Sequence, residues 1–444
     1  MSALSLKEVC ELLGTTDLPG NERELGVLRI RMAELLDLNG DGWIRENRGM
    51  LLAQWRRVVE LKTIRRKEST MSHLFEPATI GPLTVRNRFV RSATWEGMAT
   101  PEGAVTPRLV ETSAALAKGG VGLIISGHAY VRPEGQAGTL QMSAARDEWI
   151  PGLRQLVAAA HDHGAKMVLQ VAHAGCFAAH HLTGTPPLAV SATVKLDDVA
   201  RRELTPADIG DVVHAFAAAA ARGKAAGFDG VQIHSAHGYL LSQFLSPLFN
   251  RRTDEYGGCL ANRARVHVET IRAVRQAVGP DYPVLIKLNS RDFIEGGLEL
   301  EESVEAAALM ERAGLDAVEL SSGMSRLSRF AASRKGVTSQ KKEAYNQEEA
   351  RVLKQRLKIP VILVGGIRSL PVAERLVSEG VCDFISLSRP LIREPDLVNR
   401  WQSGDRRKAA CTSDNLCFGP ARSGEGLYCV TDARKKRAAA KKKA

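Results

Sequence analysis

Two histidines and a tyrosine, His234, His237 and Tyr239, fall directly after a strand-like stretch at residues 230–233. A pair of imidazoles can hold or polarise an anionic oxygen, and a phenol two residues further on can deliver a proton. Together they are equipment for reducing a double bond activated by a carbonyl. Pairs of the His-x-x-His type also bind zinc, but no third acidic or imidazole ligand is identifiable here, so no metal is expected.

Such side chains need a scaffold that fixes them, and the hydrophobic patterning supplies one. From residue 85 onward, short Val/Ile/Leu-rich runs alternate with amphipathic or alanine-rich stretches, the signature of a parallel sheet buried on both faces. Eight runs are expected as strands: 88–93, 121–126, 166–172, 230–233, 284–289, 317–321, 361–364 and 384–387. Helices are expected between them at 205–226, with Thr205 as cap and Pro206 in the first turn, and at 262–277, 299–313 and 371–378. Eight such units imply an α/β fold of the closed (β/α)8 TIM barrel kind. A doubly wound open sheet would ordinarily show a glycine-rich first turn, which is not found.

A barrel binds phosphate where the loops after its seventh and eighth strands meet. The seventh run ends in Gly365 and Gly366, bare backbone that an anion can approach, and the eighth leads into Ser388 and Arg389, a hydroxyl and a guanidinium. Gln170, near the end of the third run, offers an amide to a ligand or is a satisfied core amide. Lys287, within the fifth, needs a ligand or a carboxylate partner, since an unpaired buried ammonium is costly; Glu319 on the next run is the structural alternative.

At these residues the chain resembles the Old Yellow Enzyme family of FMN-dependent NAD(P)H oxidoreductases, over residues 74–401. The resemblance rests on LFEPATIGPLTVRNRFV, on LQVAHAG, on HSAHGYLLSQFLSPLFNRRTDEYGG, and on the paired VGGI and SRP ends. It implies FMN across the barrel mouth, with Ser92, Ala93 and Thr94 along the flavin ring, Gln170 at its pyrimidine edge and Lys287 near N1/O2. Gly365, Gly366, Ser388 and Arg389 would hold the phosphate, His234 and His237 the activating oxygen of the substrate, and Tyr239 would donate the proton. The implied reaction is ping-pong: NADH or NADPH delivers a hydride to flavin N5, and an enone or enoate then accepts it at its β-carbon. Alternatives on the same scaffold are an oxidative amine dehydrogenase or demethylase, and an idle flavin-binding scaffold.

The chain also departs from the family. Trp95, Glu96 and Gly97 stand where several ene-reductases carry a small flavin-tuning side chain and a tyrosine, and Cys176 stands where arginine is common. The chain resembles the 2-enoate and 2,4-dienoyl-CoA reductase branch, whose larger members carry an iron–sulfur cluster on four cysteines just after the barrel. Here the run reads Cys411-x2-Asp414-x2-Cys417-x11-Cys429. Three thiolates fall short of the usual four, so a [4Fe–4S] centre is not expected.

The domain reading is a helical N-terminal extension at 1–70, a flavin-binding barrel at 71–402, a cysteine-containing loop at 403–430 and a basic disordered tail at 431–444. Residues 22–36 and 45–67 carry helical periodicity. Between them Asp37, Asn39 and Asp41 mimic a calcium loop, but Arg48 occupies the position of its essential glutamate, so a capped helical hairpin is expected. The net charge of +11 is concentrated in the tail, where Arg434, Lys435, Lys436, Arg437, Lys441, Lys442 and Lys443 contribute seven charges with no acid among them. It therefore does not signal nucleic-acid binding. No membrane span or signal peptide is evident, and seven scattered cysteines suit a reducing compartment, so a soluble cytoplasmic protein is expected. Partners beyond the small molecules would be a second copy or a protein recruited by the helical extension.

Overall fold

A computed structural model describes residues 4–16, 18, 22–68, 73–192, 197–324, 327–328 and 330–441. The chain divides into two compact units, Met1–Ser72 and His73–Ala444.

In the larger unit every one of the eight runs is a strand: β1 Phe89–Arg91, β2 Leu123–Ile125, β3 Lys166–Ala172, β4 Gly230–Ser235, β5 Val284–Asn289, β6 Ala317–Ser321, β7 Val361–Val364 and β8 Phe384–Leu387. Each pairs in parallel with its neighbours in sequence, and β8 pairs back onto β1, so the sheet closes into an eight-stranded barrel. Closure leaves no unpaired edge.

The runs are apolar throughout because both faces are buried. Outward residues such as Phe89, Ile124, Leu169, Ile233 and Leu363 pack against the surrounding helices. Inward residues Val90, Leu123, Ile125, Val168, Leu285, Ile362 and Phe384 fill the barrel. A short hairpin, Ala78–Ile80 paired with Leu83–Val85, contributes Ile80, Leu83 and Val85 to that same interior.

The helix Pro206–Ala226 begins as its sequence dictates, with Thr205 and Asp208 in a reciprocal capping box and proline in the first turn. The segment expected as one helix at 262–277 is two, Leu260–Arg263 and Arg265–Val278, joined at Ala264.

In the smaller unit, the helix Leu6–Leu13 precedes Glu22–Glu68, which is interrupted only at Gly40, with φ 76° and ψ 166°. The calcium-like loop is thus not a loop: Asp37, Asn39 and Asp41 lie on helix, and a single glycine makes the break between the two expected helices. Val9, Leu13, Leu28, Met32, Ile44 and Trp55 form one buried cluster, so both sides of the break face the first helix.

The basic tail is also corrected. Residues Val430–Lys441 form a helix rather than a disordered end. Alanine and lysine are strong helix formers, Asp432 sits in the first turn, and it pairs with Lys436 one turn on. No described helix is long and apolar enough to cross a membrane.

Candidate active site

Side chains alternate along a strand, so the residue two places beyond an inward apolar one also points inward. Val90, Val168, Leu285, Ala317 and Phe384 belong to the apolar interior, and two residues on stand Ser92, Gln170, Lys287, Glu319 and Ser386. A dry floor therefore carries a polar layer at the carboxyl ends of the strands, where barrels place their chemistry. Register decides the neighbours: Lys287 lies beside Glu319 on one side and His234 on the other, and Gln170 lies beside Gln232.

These residues form one buried network. Lys287 Nζ is 2.8 Å from Glu319 and donates to Ser92 Oγ at 2.9 Å. Glu319 also accepts from Ser92, Ser386 and Gln232, and Gln232 accepts from Gln170 at 2.6 Å. Burial alone would raise the Glu319 carboxyl, but the Lys287 charge and the hydroxyl and amide donors outweigh it and hold it below the usual range. Burial pulls Lys287 down, opposed by Glu319. The structural alternatives for Lys287 and Gln170 are both realised, yet both side chains still line the cavity described below. An ammonium has three hydrogens, and these two partners leave one for a ligand.

The histidine corner is built by the end of β4 and the turn after it. Ala236 N–H donates to His234 Nδ1 at 3.3 Å, so neutral His234 carries its proton on Nε2 and is a donor. The chain then turns through a left-handed conformation at His237, φ 63°, rare for a residue with a Cβ. The turn is held by His237 N–H donating to Asn289 Oδ1 at 3.1 Å, and His237 Nε2 lies 2.8 Å from Ser321 Oγ. The two imidazoles meet edge to face at 5.2 Å between centroids, and the Tyr239 ring lies 4.9 Å from that of His234. Burial first, and then neighbouring positive groups, push His234 well below its ordinary value and His237 down to about 3. Both are neutral near pH 7 and suit an oxygen gaining negative charge as hydrogen-bond donors, not as cations.

At the opposite side, Thr94 Oγ1 and Ser388 Oγ are 2.8 Å apart, and Arg389 donates to the Arg334 carbonyl and to Asn415 Oδ1. Asn415 belongs to the cysteine segment, which packs against the chain after β1: Leu427 N–H donates to the Glu96 carbonyl, and Gly97, φ 61°, approaches Ala421 so closely that a Cβ would lie 2.7 Å from its oxygen. Cys411 and Cys417 are buried, and burial raises both thiols, Cys417 to about 11. Asp414 accepts from Thr412, Thr431 and Leu416 N–H. Burial would raise its carboxyl, but these hydrogen bonds hold it below the usual range. Among the described residues, no group of three His, Cys, Asp or Glu side chains is arranged to hold a metal ion.

One cavity of about 310 Å³ is lined in part by the buried network, the histidine corner and the cysteine segment, a size suited to a cofactor or small ligand. Of the residues singled out from sequence, Ser92, Ala93, Thr94, Gln170, His234, His237, Tyr239, Lys287, Gly366, Ser388 and Arg389 line it. Gly365 does not; its carbonyl accepts from Tyr345 N–H. Trp95 lines the cavity, while half-buried Glu96 lies behind it with its carboxyl raised to about 7 by desolvation, opposed by the Arg91 charge. Sequence reasoning passed over His128, Asn415, Phe418 and Arg422. The signal for His128 was its place just past a barrel strand; for the others there was none, because a segment beyond the barrel folds back over the mouth.

Similarity to known proteins agrees with this geometry. The profile of the NADH:flavin oxidoreductase / NADH oxidase family matches residues 73–408. An NADH oxidase from Thermoanaerobacter brockii is 36% identical over 359 residues, covering 78% of this chain and 54% of the relative. A structure of 2-naphthoyl-CoA reductase in complex with 2-naphthoyl-CoA superposes with a TM-score of 0.75 at 30% identity, covering 81% of this chain and 56% of the other. That of histamine dehydrogenase from Rhizobium sp. 4-9 gives 0.72 at 30% identity, covering 80% and 52%. The chain spans about half the length of the first curated relatives it matches. With a closed barrel and a polar mouth built from the residues of its motifs, the chain belongs to the NADH:flavin oxidoreductase / NADH oxidase family, that of Old Yellow Enzyme.

Proposed function

We propose that the protein is an FMN-dependent NAD(P)H oxidoreductase that reduces the C=C bond of α,β-unsaturated carbonyl compounds. The observation that carries this reading is the meeting of two sets of groups at one cavity: the neutral histidines with Tyr239, and beside them Ser92, Lys287 and Gln170, which Glu319 and Gln232 hold from behind.

The residues present fit FMN. Gly366 offers backbone without a side chain, Arg389 spends one nitrogen on Arg334 and Asn415 and keeps further donors, and Ser388 adds a hydroxyl, together a cradle for phosphate. Gln170 and the remaining proton of Lys287 suit the acceptor edge of a flavin, with Ser92, Ala93 and Thr94 beside the ring. Bound FMN supplies two-electron chemistry, accepting a hydride from the nicotinamide and returning it to an electron-poor carbon.

The chain's own residues do the rest. His234 Nε2–H, with His237 beside it, holds the carbonyl oxygen of the substrate and stabilises the negative charge that grows there. Tyr239 delivers its hydroxyl proton to the α-carbon. The Lys287–Glu319 pair holds its polarity without solvent, so a charge change on a ligand next to it needs little reorganisation. The cysteine segment serves as a wall of the cavity through Asn415, Phe418 and Arg422, with Asp414 as its internal clasp and not a cluster ligand.

The test uses purified protein under anaerobic conditions. FMN released by heat should be near one per chain; NADH or NADPH should bleach it, and 2-cyclohexenone or an enoate should restore the colour. Protein without FMN, or reduced flavin indifferent to every activated alkene, rules the reading out. The likeness to histamine dehydrogenase favours one alternative, amine oxidation, for which an amine and not NAD(P)H would do the bleaching.

A further inference from the structure

A third imidazole stands at the mouth. His128 follows the end of β2 and is half-buried against the cavity. Its Nε2 lies 3.4 Å from Tyr239 Oη, with ring centroids 5.5 Å apart, and its ring meets that of His234 edge to face at 6.1 Å. This approach is long for a hydrogen bond, as catalytic contacts often are without substrate.

The imidazole is carried by a fixed backbone. Its carbonyl accepts from Gln141 Nε2 at 3.1 Å, and Gln141 Oε1 accepts from Ala137 N–H at 2.7 Å. The preceding residue admits no side chain, since a Cβ on Gly127 would lie 2.2 Å from Glu96 Oε2. The titratable and charged groups around it are Glu96 after β1, His234 and His237 at β4, Lys287 on β5 and Tyr239 itself. Burial lowers His128 to about 4, so at neutral pH it is an uncharged ring with one nitrogen to donate and one to accept.

We propose that His128 is the positioning partner of Tyr239, orienting its hydroxyl and returning a proton to its oxygen after each turnover. This rests on the reading of Tyr239 as proton donor. With its β-carbon receiving the hydride that bound FMN would supply, the alkene takes the Tyr239 proton at its α-carbon. The Tyr239 O–H bond breaks with its electron pair left on the phenolate oxygen. The Nε2–H of His128 then passes its proton to that oxygen while Nδ1 takes one from solvent water, which leaves as hydroxide, and exchange with solvent returns the ring to its Nε2–H tautomer before the next turnover. The sum is one hydride and one solvent proton per alkene.

The experiment follows both half-reactions of the FMN-loaded protein by stopped flow between pH 6 and 10, with 2-cyclohexenone as oxidant. In His128→Phe, reduction by NAD(P)H should stay within about twofold, while reoxidation falls about tenfold, the worth of one hydrogen bond to a charged oxygen. The alkaline fall in reoxidation rate should also move to higher pH, because the phenolate has lost a donor. His128→Gln, which keeps an N–H, should recover most of the rate; His128→Leu gives the same readout as phenylalanine where the larger ring prevents FMN binding. Unchanged reoxidation and an unchanged pH profile in both apolar variants, beside a slow Tyr239→Phe, overturn the role of His128 alone. A Tyr239→Phe that reoxidises at the parent rate overturns the proton-donor reading and this proposal with it.

Discussion

The histidine corner and the cysteine segment both line the same cavity, and both carry motifs of reactive residues at short spacing. At the corner, the side chains sit on or just after barrel strands, and the register of β4, β5 and β6 dictates which of them meet. On the cysteine segment no ladder imposes a geometry: Asp414 has turned to the hydroxyls and N–H of its own segment, and two thiols are buried and protonated. Spacing predicts chemistry where a scaffold fixes side-chain direction. On an irregular segment it predicts chemistry only if the full set of ligands is present.

Disrupting the corner should therefore cost far more than disrupting the segment. The largest effect is expected for Glu319→Ala, which strands a buried ammonium at Lys287. It should lower the unfolding free energy by about 3–5 kcal/mol in denaturant titration. A loss no greater than that of a surface substitution would mean that Lys287 does not depend on its partner. Next comes Tyr239→Phe, expected to slow alkene reduction by about 100-fold while flavin reduction by NAD(P)H is nearly unaffected; equal loss in both half-reactions removes Tyr239 as proton donor.

The third test separates the regions by pH. His128 and His237, with ordinary values of 6.5, lie at about 4 and about 3 in the folded protein, so below pH 6.5 the unfolded chain takes up protons that the folded chain refuses. Their contribution is complete above pH 6.5 and drains away as pH falls toward those lower values, by up to about 1.4 kcal/mol per unit for each ring. His237→Gln should flatten the slope of unfolding free energy between pH 6.5 and 5, whereas Asp414→Ala should leave it alone. The smallest effect is expected for Asp414→Ala itself: about 1 kcal/mol, with faster amide exchange confined to residues around 411–431. A collapse of FMN binding in that variant would give the segment the same weight as the corner.

The barrel was legible because burial on both faces writes each strand as an uninterrupted apolar run, and all eight strands match the bounds of their runs to within two residues, five of them at both ends. The polar mouth was legible where inward positions carried a residue out of keeping with its run, as Lys287 and Gln170 do. Gly365 shows the limit: two adjacent glycines look alike in sequence, but only Gly366 faces the cavity, because strand direction turns between them. His128 lies beyond the apolar run of β2, and its meeting with Tyr239 joins residues 111 apart. Asn415 reaches Arg389 through a fold-back that no local period announces. At 430–441 the run of lysine and arginine has the look of a solvated tail, while the helix propensity of its alanines and lysines is what the fold expresses.

The two-residue step from Leu285 to Lys287, repeated from Ala317 to Glu319 and from Phe384 to Ser386, makes the barrel unforgiving of changes in length. Deleting one residue from β5 would swing Lys287 outward among the helices and send Ile286 or Leu288 into the mouth. The loops after the strands carry no such parity. Insertions there, beyond Thr94 or His128, can reshape what enters while the floor stays sealed, so evolution and engineering alike are steered toward the rim.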